Sequence, residues 1–235
     1  DDIFFFNERW HCYEVHSELS DADSEVFLSK LNQILSDTQK QLQQATHIII
    51  TYGTSWVYRH IETNAIVANC HKVPQKQFSK ELLSIDSIQK SIQNTVSLIA
   101  TLNPKCNFIF TVSPVRHLKD GFVENQVSKA HLIAAIYATT NTKQQTLNYF
   151  PSYEIMMDEL RDYRFYADDM MHPSPMAIDY IWERFAATQI DASAITTMEL
   201  VQTIQKGLAH RPFKPNSESH QKFEEKKKKK IATLE

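Results

Sequence analysis

Glycine is scarce in this chain, with 3 residues in 235. That excludes a glycine-rich loop cradling phosphate groups. Cysteine is equally rare: Cys12, Cys70 and Cys106 are odd in number and form no close pair. They read as reduced thiols and not as a disulfide framework. No apolar run approaches the length of a membrane span. The net charge of −3 provides no broad basic field, so nucleic acid is not an expected partner. The opening Asp1-Asp2-Ile3 has neither a charged n-region nor an apolar h-region. The expectation from these signals is a cytoplasmic protein. Hydrophobic content of 42% and charged content of 23% fit a globular fold of one large or two small domains.

What is present centres on residues 164–174 (RFYADDMMHPS). Asp169 stands three residues before His172, and Ser174-Pro175 is a helix start, with a capping residue and then a proline. One short turn can hold the Asp169 carboxylate against the near nitrogen of the His172 ring. Such a carboxylate fixes the tautomer and stabilises the imidazolium formed when the far nitrogen takes a proton. The pair is the orienter and base of a hydrolytic triad. Chance placement of a surface Asp and His is the competing explanation.

The remaining periodicities form an alternating pattern. Residues 3–6 (IFFF) read as a buried segment, and residues 10–16 as a short strand or a loop. A helix is expected over 24–43, with Val26, Leu28, Leu31, Leu35 and Leu42 on one face. Residues 46–52 (THIIITY) read as a fully buried, parallel-type strand. Gly53 then turns the chain at the strand's carboxyl end, where open α/β sheets bind ligands. Residues 57–83 read as irregular. A helix from Ser84 or Asp86 to Leu102 follows, stopped by Asn103-Pro104. A second buried strand spans 107–112, a helix 124–139, a third strand 147–150, a short helix 152–160 and a helix 175–188. The expected fold class is therefore α/β, a doubly wound parallel sheet with flanking helices. The expected domain limits are 1–189 and a helical, polar extension at 190–235. In the extension a helix is expected over 193–206, ended by Gly207, and the lysines at 226–230 read as a solvated tail.

Three further groups carry chemistry. Gly53, Thr54 and Ser55 follow a buried strand, as an oxyanion site of backbone N–H groups and a hydroxyl would; a plain tight turn is the alternative. Arg116 and His117 leave the second strand at its carboxyl end. They are either exposed loop residues or a substrate-binding pair, Arg offering a fork of donors. Cys70-His71 suggests a thiolate nucleophile, but adjacent residues rarely face one another. Asp168, Asp169, His172, His71 and His117 could be gathered around a metal, yet no compact ligand motif supports it. No metal or other cofactor is expected. Of the early serines, Ser17, Ser20, Ser24, Ser29 and Ser36, none follows a buried strand and glycine turn, so none reads as a nucleophile.

Five ordered blocks carry a resemblance to a known family. They are residues 48–58 (IIITYGTSWVY), 68–74 (ANCHKVP), 111–121 (TVSPVRHLKDG), 125–130 (NQVSKA) and 149–174 (YFPSYEIMMDELRDYRFYADDMMHPS). Together they resemble the GSCFA-domain family, itself similar to the SGNH/GDSL hydrolases. The likeness covers about residues 3–188, and residues 210–215 (HRPFKP) resemble the family's tail. It implies a flavodoxin-like parallel sheet and a serine esterase or acyl hydrolase. It also implies a nucleophile in a Gly-Ser-Cys-Phe-Ala segment ending the first strand. Asp169 and His172 match the family's Asp-x-x-His block, and Gly53 the glycine of its Gly-x-Asn-Asp block. There the sequence departs, because Ser55 and Trp56 replace Asn and Asp. No Gly-Ser-Cys-Phe-Ala run occurs, so the N-terminal strands and nucleophile are expected to be missing from these 235 residues. The substrate implied is a small-molecule or carbohydrate ester. A module that binds such a ligand without turnover is the alternative. Loss of two strands would leave residues 46–52 as a sheet edge, covered by residues 3–6 or by a second copy in a homodimer.

Overall fold

The computed structural model describes residues 2–141, 146–209 and 218–233. The chain divides into two compact units, Asp1–Ile178 and Asp179–Glu235. Its architecture is mixed α/β.

The first unit opens with a hairpin, β1 (Phe4–Phe6) and β2 (Arg9–His11), in antiparallel register with Phe4 opposite His11. Its two-residue turn places Asn7 and Glu8 at positive φ, the conformation that matches strand twist in tight hairpins. Helix α1 (Ser24–Gln44) follows, and Asp23 Oδ1 caps it by accepting from the Glu25 and Val26 amides. Next come β3 (His47–Tyr52), β4 (Trp56–His60), β5 (Ile66–Val67) and β6 (Phe78–Leu82). Residues 57–83, expected to be irregular, instead form a small antiparallel sheet in the order β5-β4-β6. Its strands are too short and mixed in polarity to show a period in the sequence. Phe4 and Phe6 pack against the buried Val67 and Phe78 of this sheet and Val73 of the turn between β5 and β6.

Helix α2 (Ile85–Leu102) starts at a Ser84 cap, and β7 (Asn107–Val112) follows it. Helix α3 (Phe122–Thr140), β8 (Leu147–Phe150) and α4 (Ser152–Glu154) come next, α4 running into a π turn at Ile155–Glu159. Strands β3, β7 and β8 pair in parallel in that order, with Ile49 opposite Ile109 and Phe110 opposite Tyr149. The core lies between this sheet and the helices, built from Ile88, Ile92, Phe108, Phe110, Val112, Leu132 and Ile136.

Among the described residues the parallel sheet has three strands, and β3 is one edge. The full burial expected for β3 is not found. Its burial alternates, and Ile49 is 54% exposed. An edge strand packs fully only where a neighbour covers it. Residues 3–6 do not provide that cover, since β1 pairs with β2. On α1, Phe27 is buried while Val26, Leu28 and Leu35 remain exposed.

Helix α5 (Pro175–Gln189) starts after Ser174, whose hydroxyl accepts from the Ala177 amide at 3.4 Å. The second unit contains α6 (Ile195–Ala209) and α7 (Glu218–Ala232). Gly207 does not end α6 as expected. A Cβ there would lie 3.3 Å from Lys227 Cδ and 3.4 Å from Phe223 Cζ, so the glycine lets α7 approach closely. The lysines at 226–230, expected in a solvated tail, lie in α7, and Lys226, Lys228, Lys229 and Lys230 are exposed there. Residues 210–215 lie outside the described residues. No described helix is long and apolar enough to cross a membrane.

Candidate active site

The Asp169–His172 turn is built by its own backbone. Ala167 N–H donates to the His172 carbonyl at 2.8 Å, and Met170 N–H to the Ala167 carbonyl at 2.9 Å. Met170 closes the turn at φ 59, in the left-handed region. Asp169 Oδ1 accepts from the Met171 and His172 amides, each at 2.9 Å. Its other oxygen, Oδ2, lies 2.5 Å from His172 Nδ1. Those two amides, then the ring, hold the Asp169 carboxyl down at about 2. An ionised carboxylate only accepts, so Nδ1 carries the proton, and in the neutral ring Nε2 presents its lone pair. Nε2 has no hydrogen-bond partner among the described residues.

Arg116 grips this turn from the exit of β7. Its amide donates to the Met171 carbonyl and its Nη1 to the Met170 carbonyl, both at 3.0 Å. The guanidinium sits over the Tyr166 ring at 5.1 Å and the Phe122 ring at 5.8 Å. His117 is fixed by its amide, which donates to Asn125 Oδ1 at 2.8 Å. Its buried Nε2 has no hydrogen-bond partner among the described residues. Burial, then the nearby Lys129 charge, depresses the His117 pKa, with Asp120 opposing and His172 adding to the effect. That keeps the ring neutral at pH 7.

Arg116, His117 and His172 line one cleft of 310 Å³, together with Thr54, Trp56, Tyr58, Lys80, Asp120 and Met171. Lys80 pairs with Asp120 and lies over the Trp56 and Tyr58 rings. One wall is therefore aromatic and cationic.

Gly53 reaches this region differently from expectation. Its φ is not positive, so the turn does not require glycine. A Cβ would instead meet His117 Nε2 at 3.5 Å, placing Gly53 against that ring. Ser55 is not brought to the cleft. It is 1% exposed, its amide donates to Ser128 Oγ at 2.8 Å and its hydroxyl to the Ser128 carbonyl at 3.0 Å. The expected oxyanion hydroxyl is thus turned into α3, and Thr54 is the residue of this loop that faces the cleft. His71 lies against Cys12 and Ser17, so the five residues weighed as metal ligands are not gathered. Among the described residues no group of three or more His, Cys, Asp or Glu could hold an ion.

Lys129 is the residue the sequence reading missed. It is 1% exposed, and its Nζ donates to the carbonyls of Gly53 at 2.7 Å and Ser113 at 2.8 Å. It thereby ties together the exits of β3 and β7. Burial pulls its pKa down to about 8. The signal was available: Asn125, Ser128 and Lys129 are polar residues at three- and four-residue steps on the buried face of α3.

The sequence matches the GSCFA family over residues 1–185. The chain belongs to the GSCFA family. Residues 201–235 also match the GSCFA domain protein, C-terminal domain. No curated protein matches this GSCFA chain. The Asp169–His172 turn, Arg116, His117 and Lys129 all lie within the first matched region.

Proposed function

We propose that the cleft at His172 is the base-and-orienter half of a serine acyl hydrolase acting on a small-molecule or carbohydrate ester. The observation that carries this is the 2.5 Å contact from Asp169 Oδ2 to His172 Nδ1, which leaves Nε2 free beside the cleft. A hydroxyl approaching Nε2 passes its proton there while attacking the ester carbonyl. Asp169 stabilises the imidazolium, which then protonates the leaving oxygen. Arg116 and His117 line the pocket for the substrate. Gly53, held by Lys129, keeps the oxyanion role, which Ser55 loses. Family membership and the SGNH/GDSL-like blocks support this reading. It assigns the attacking hydroxyl to a segment outside these 235 residues, on the absence of a Gly-Ser-Cys-Phe-Ala run. It assigns the chemistry to residues 1–189 and treats 190–235 as an extension.

The test is ester hydrolysis by these residues joined to a Gly-Ser-Cys-Phe-Ala segment. His172→Ala should slow acetylation of that segment's serine by p-nitrophenyl acetate, read by peptide mass spectrometry, by about 10²–10⁴-fold. Unchanged acetylation of that serine in the variant overturns the reading. A second reading, ligand binding without turnover, is favoured by the lack of any described serine at Nε2. It predicts that an acylated sugar binds in equilibrium dialysis and emerges intact.

A further inference from the structure

A second cleft of 310 Å³ shares no lining residue with the first. It lies where the β1–β2 hairpin meets the turn at residues 69–73, and it holds two serine–histidine pairs. Ser20 Oγ is 2.7 Å from His11 Nδ1, and His11 Nε2 is 3.0 Å from the Phe6 carbonyl. Ser17 Oγ is 3.2 Å from His71 Nδ1 and also donates to Asn69 Oδ1 at 3.2 Å, so its one proton is shared between two acceptors, and His71 Nε2 is 2.6 Å from the Cys12 carbonyl. A carbonyl only accepts. Each neutral ring therefore carries its proton on Nε2 and turns the Nδ1 lone pair towards a serine hydroxyl.

The two pairs differ in access. Ser20 is 3% exposed, and its pair ties the hairpin to the following segment. Ser17 is exposed, while its partner His71 is 4% exposed. His71 is also held in an unusual backbone state, at φ 49, with Lys72 at φ 61. Such values are rare for a bulky residue. Two bonds maintain them: Val73 N–H donates to the Cys70 carbonyl at 2.9 Å, and His71 N–H to Asn69 Oδ1 at 2.8 Å. The strained turn aims the His71 ring inward between Cys12 and Ser17. Backbone strain of this kind collects where a side chain must be placed for chemistry.

We propose that Ser17 is an activated nucleophilic hydroxyl, with His71 as its general base, in a cleft that takes small carboxylic esters. The arrangement has the three parts such activation needs: a nucleophile, a base in reach, and a group orienting the base. Here the orienter is the Cys12 carbonyl. Arg9, Lys72 and Glu18 line the cleft; Arg9 also donates to the Ser20 carbonyl, which leaves Lys72 as the cation for an oxyanion. The Ser17 Oγ–C bond forms as the hydroxyl proton passes to His71 Nδ1. The ester C–O bond then breaks, and the leaving alkoxide takes that proton. Water repeats the sequence, releasing the carboxylic acid and restoring Ser17.

An ethyl fluorophosphonate tests this on the 235-residue chain. The Ser17 Oγ–P bond forms, the P–F bond breaks, and the proton leaves by way of His71. Peptide mapping by mass spectrometry should find the adduct on Ser17 and at least tenfold less on the exposed Ser84 and Ser193. The adduct should vanish in Ser17→Ala and form about 10²-fold more slowly in His71→Gln. The comparison among serines of the unmutated chain does not depend on how well His71→Gln folds. Absence of the adduct at Ser17, or labelling no faster than at Ser84 and Ser193, overturns the proposal. Labelling of Ser17 at the unmutated rate in folded His71→Gln removes the base and overturns it equally.

Discussion

Asp169 Oδ2 meets His172 Nδ1 at 2.5 Å while Asp169 Oδ1 holds the His172 amide at 2.9 Å. One carboxylate therefore fixes both the ring and the backbone of the same residue. Asp169→Asn should keep the turn's size but lose the acceptor that sets the tautomer. The downfield Nδ1–H proton resonance of His172 should disappear. In an active form, turnover should fall by about 10²–10⁴-fold, as for loss of the base itself. An unchanged resonance would count against the pairing.

Acid should open this turn late. The Asp169 carboxyl is held at about 2 against a reference of 3.8. A depressed carboxylate contributes stability that is present above its unfolded pKa and lost as pH falls through the folded one. The window thus opens below pH 3.8 and closes near pH 2. Amide chemical shifts of Met171 and His172 should hold to pH 4 and move below it. A midpoint near 3.8 would show that the two amide bonds do not persist in solution.

Arg116→Ala removes the Nη1 bond to the Met170 carbonyl and the guanidinium between the Tyr166 and Phe122 rings. The backbone bond from the Arg116 amide remains. The expected loss is about 0.5–1.5 kcal/mol in urea unfolding. Faster amide exchange should appear at residues 169–172. Arg116→Lys should not restore protection, because an ammonium cannot replace a planar fork held between rings.

Lys129→Met leaves the Gly53 and Ser113 carbonyls without their buried donor. The expected cost at pH 7 is about 1–3 kcal/mol by urea unfolding. The pH dependence has a definite sign. The folded lysine titrates at about 8 and the unfolded one at 10.5, so the unfolded state binds more protons between them. Stability of the unmutated protein should therefore rise from pH 8 to 10.5, and Lys129→Met should lack that rise. Equal slopes for the two proteins would contradict the burial of this charge.

The β3 edge, with Ile49 exposed, should drive self-association of the 235-residue chain. Sedimentation velocity should show a concentration-dependent dimer that Ile49→Lys weakens at least tenfold. The substitution should leave stability within about 0.5 kcal/mol. A monomer at all concentrations would rule out pairing through this edge.

The sequence alone determined the repeating elements. Strands β7 and β8 and helix α2 lie where periodicity and stop signals put them, because short apolar and aromatic runs and three- and four-residue steps are local properties. The spacing of Asp169 and His172 likewise lay within one turn, so its geometry was legible. Tertiary structure decided the rest. Ser55 faces α3 and not the cleft because Ser128, 73 residues away, engages both its amide and its hydroxyl. The strands within residues 57–83 form by pairing across the sheet, and no single strand there is long enough to declare itself. Lys129 and the Ser17–His71 pair depend on contacts 76 and 54 residues apart. Local pattern reports which face a side chain takes, and only the packed fold decides what meets it there.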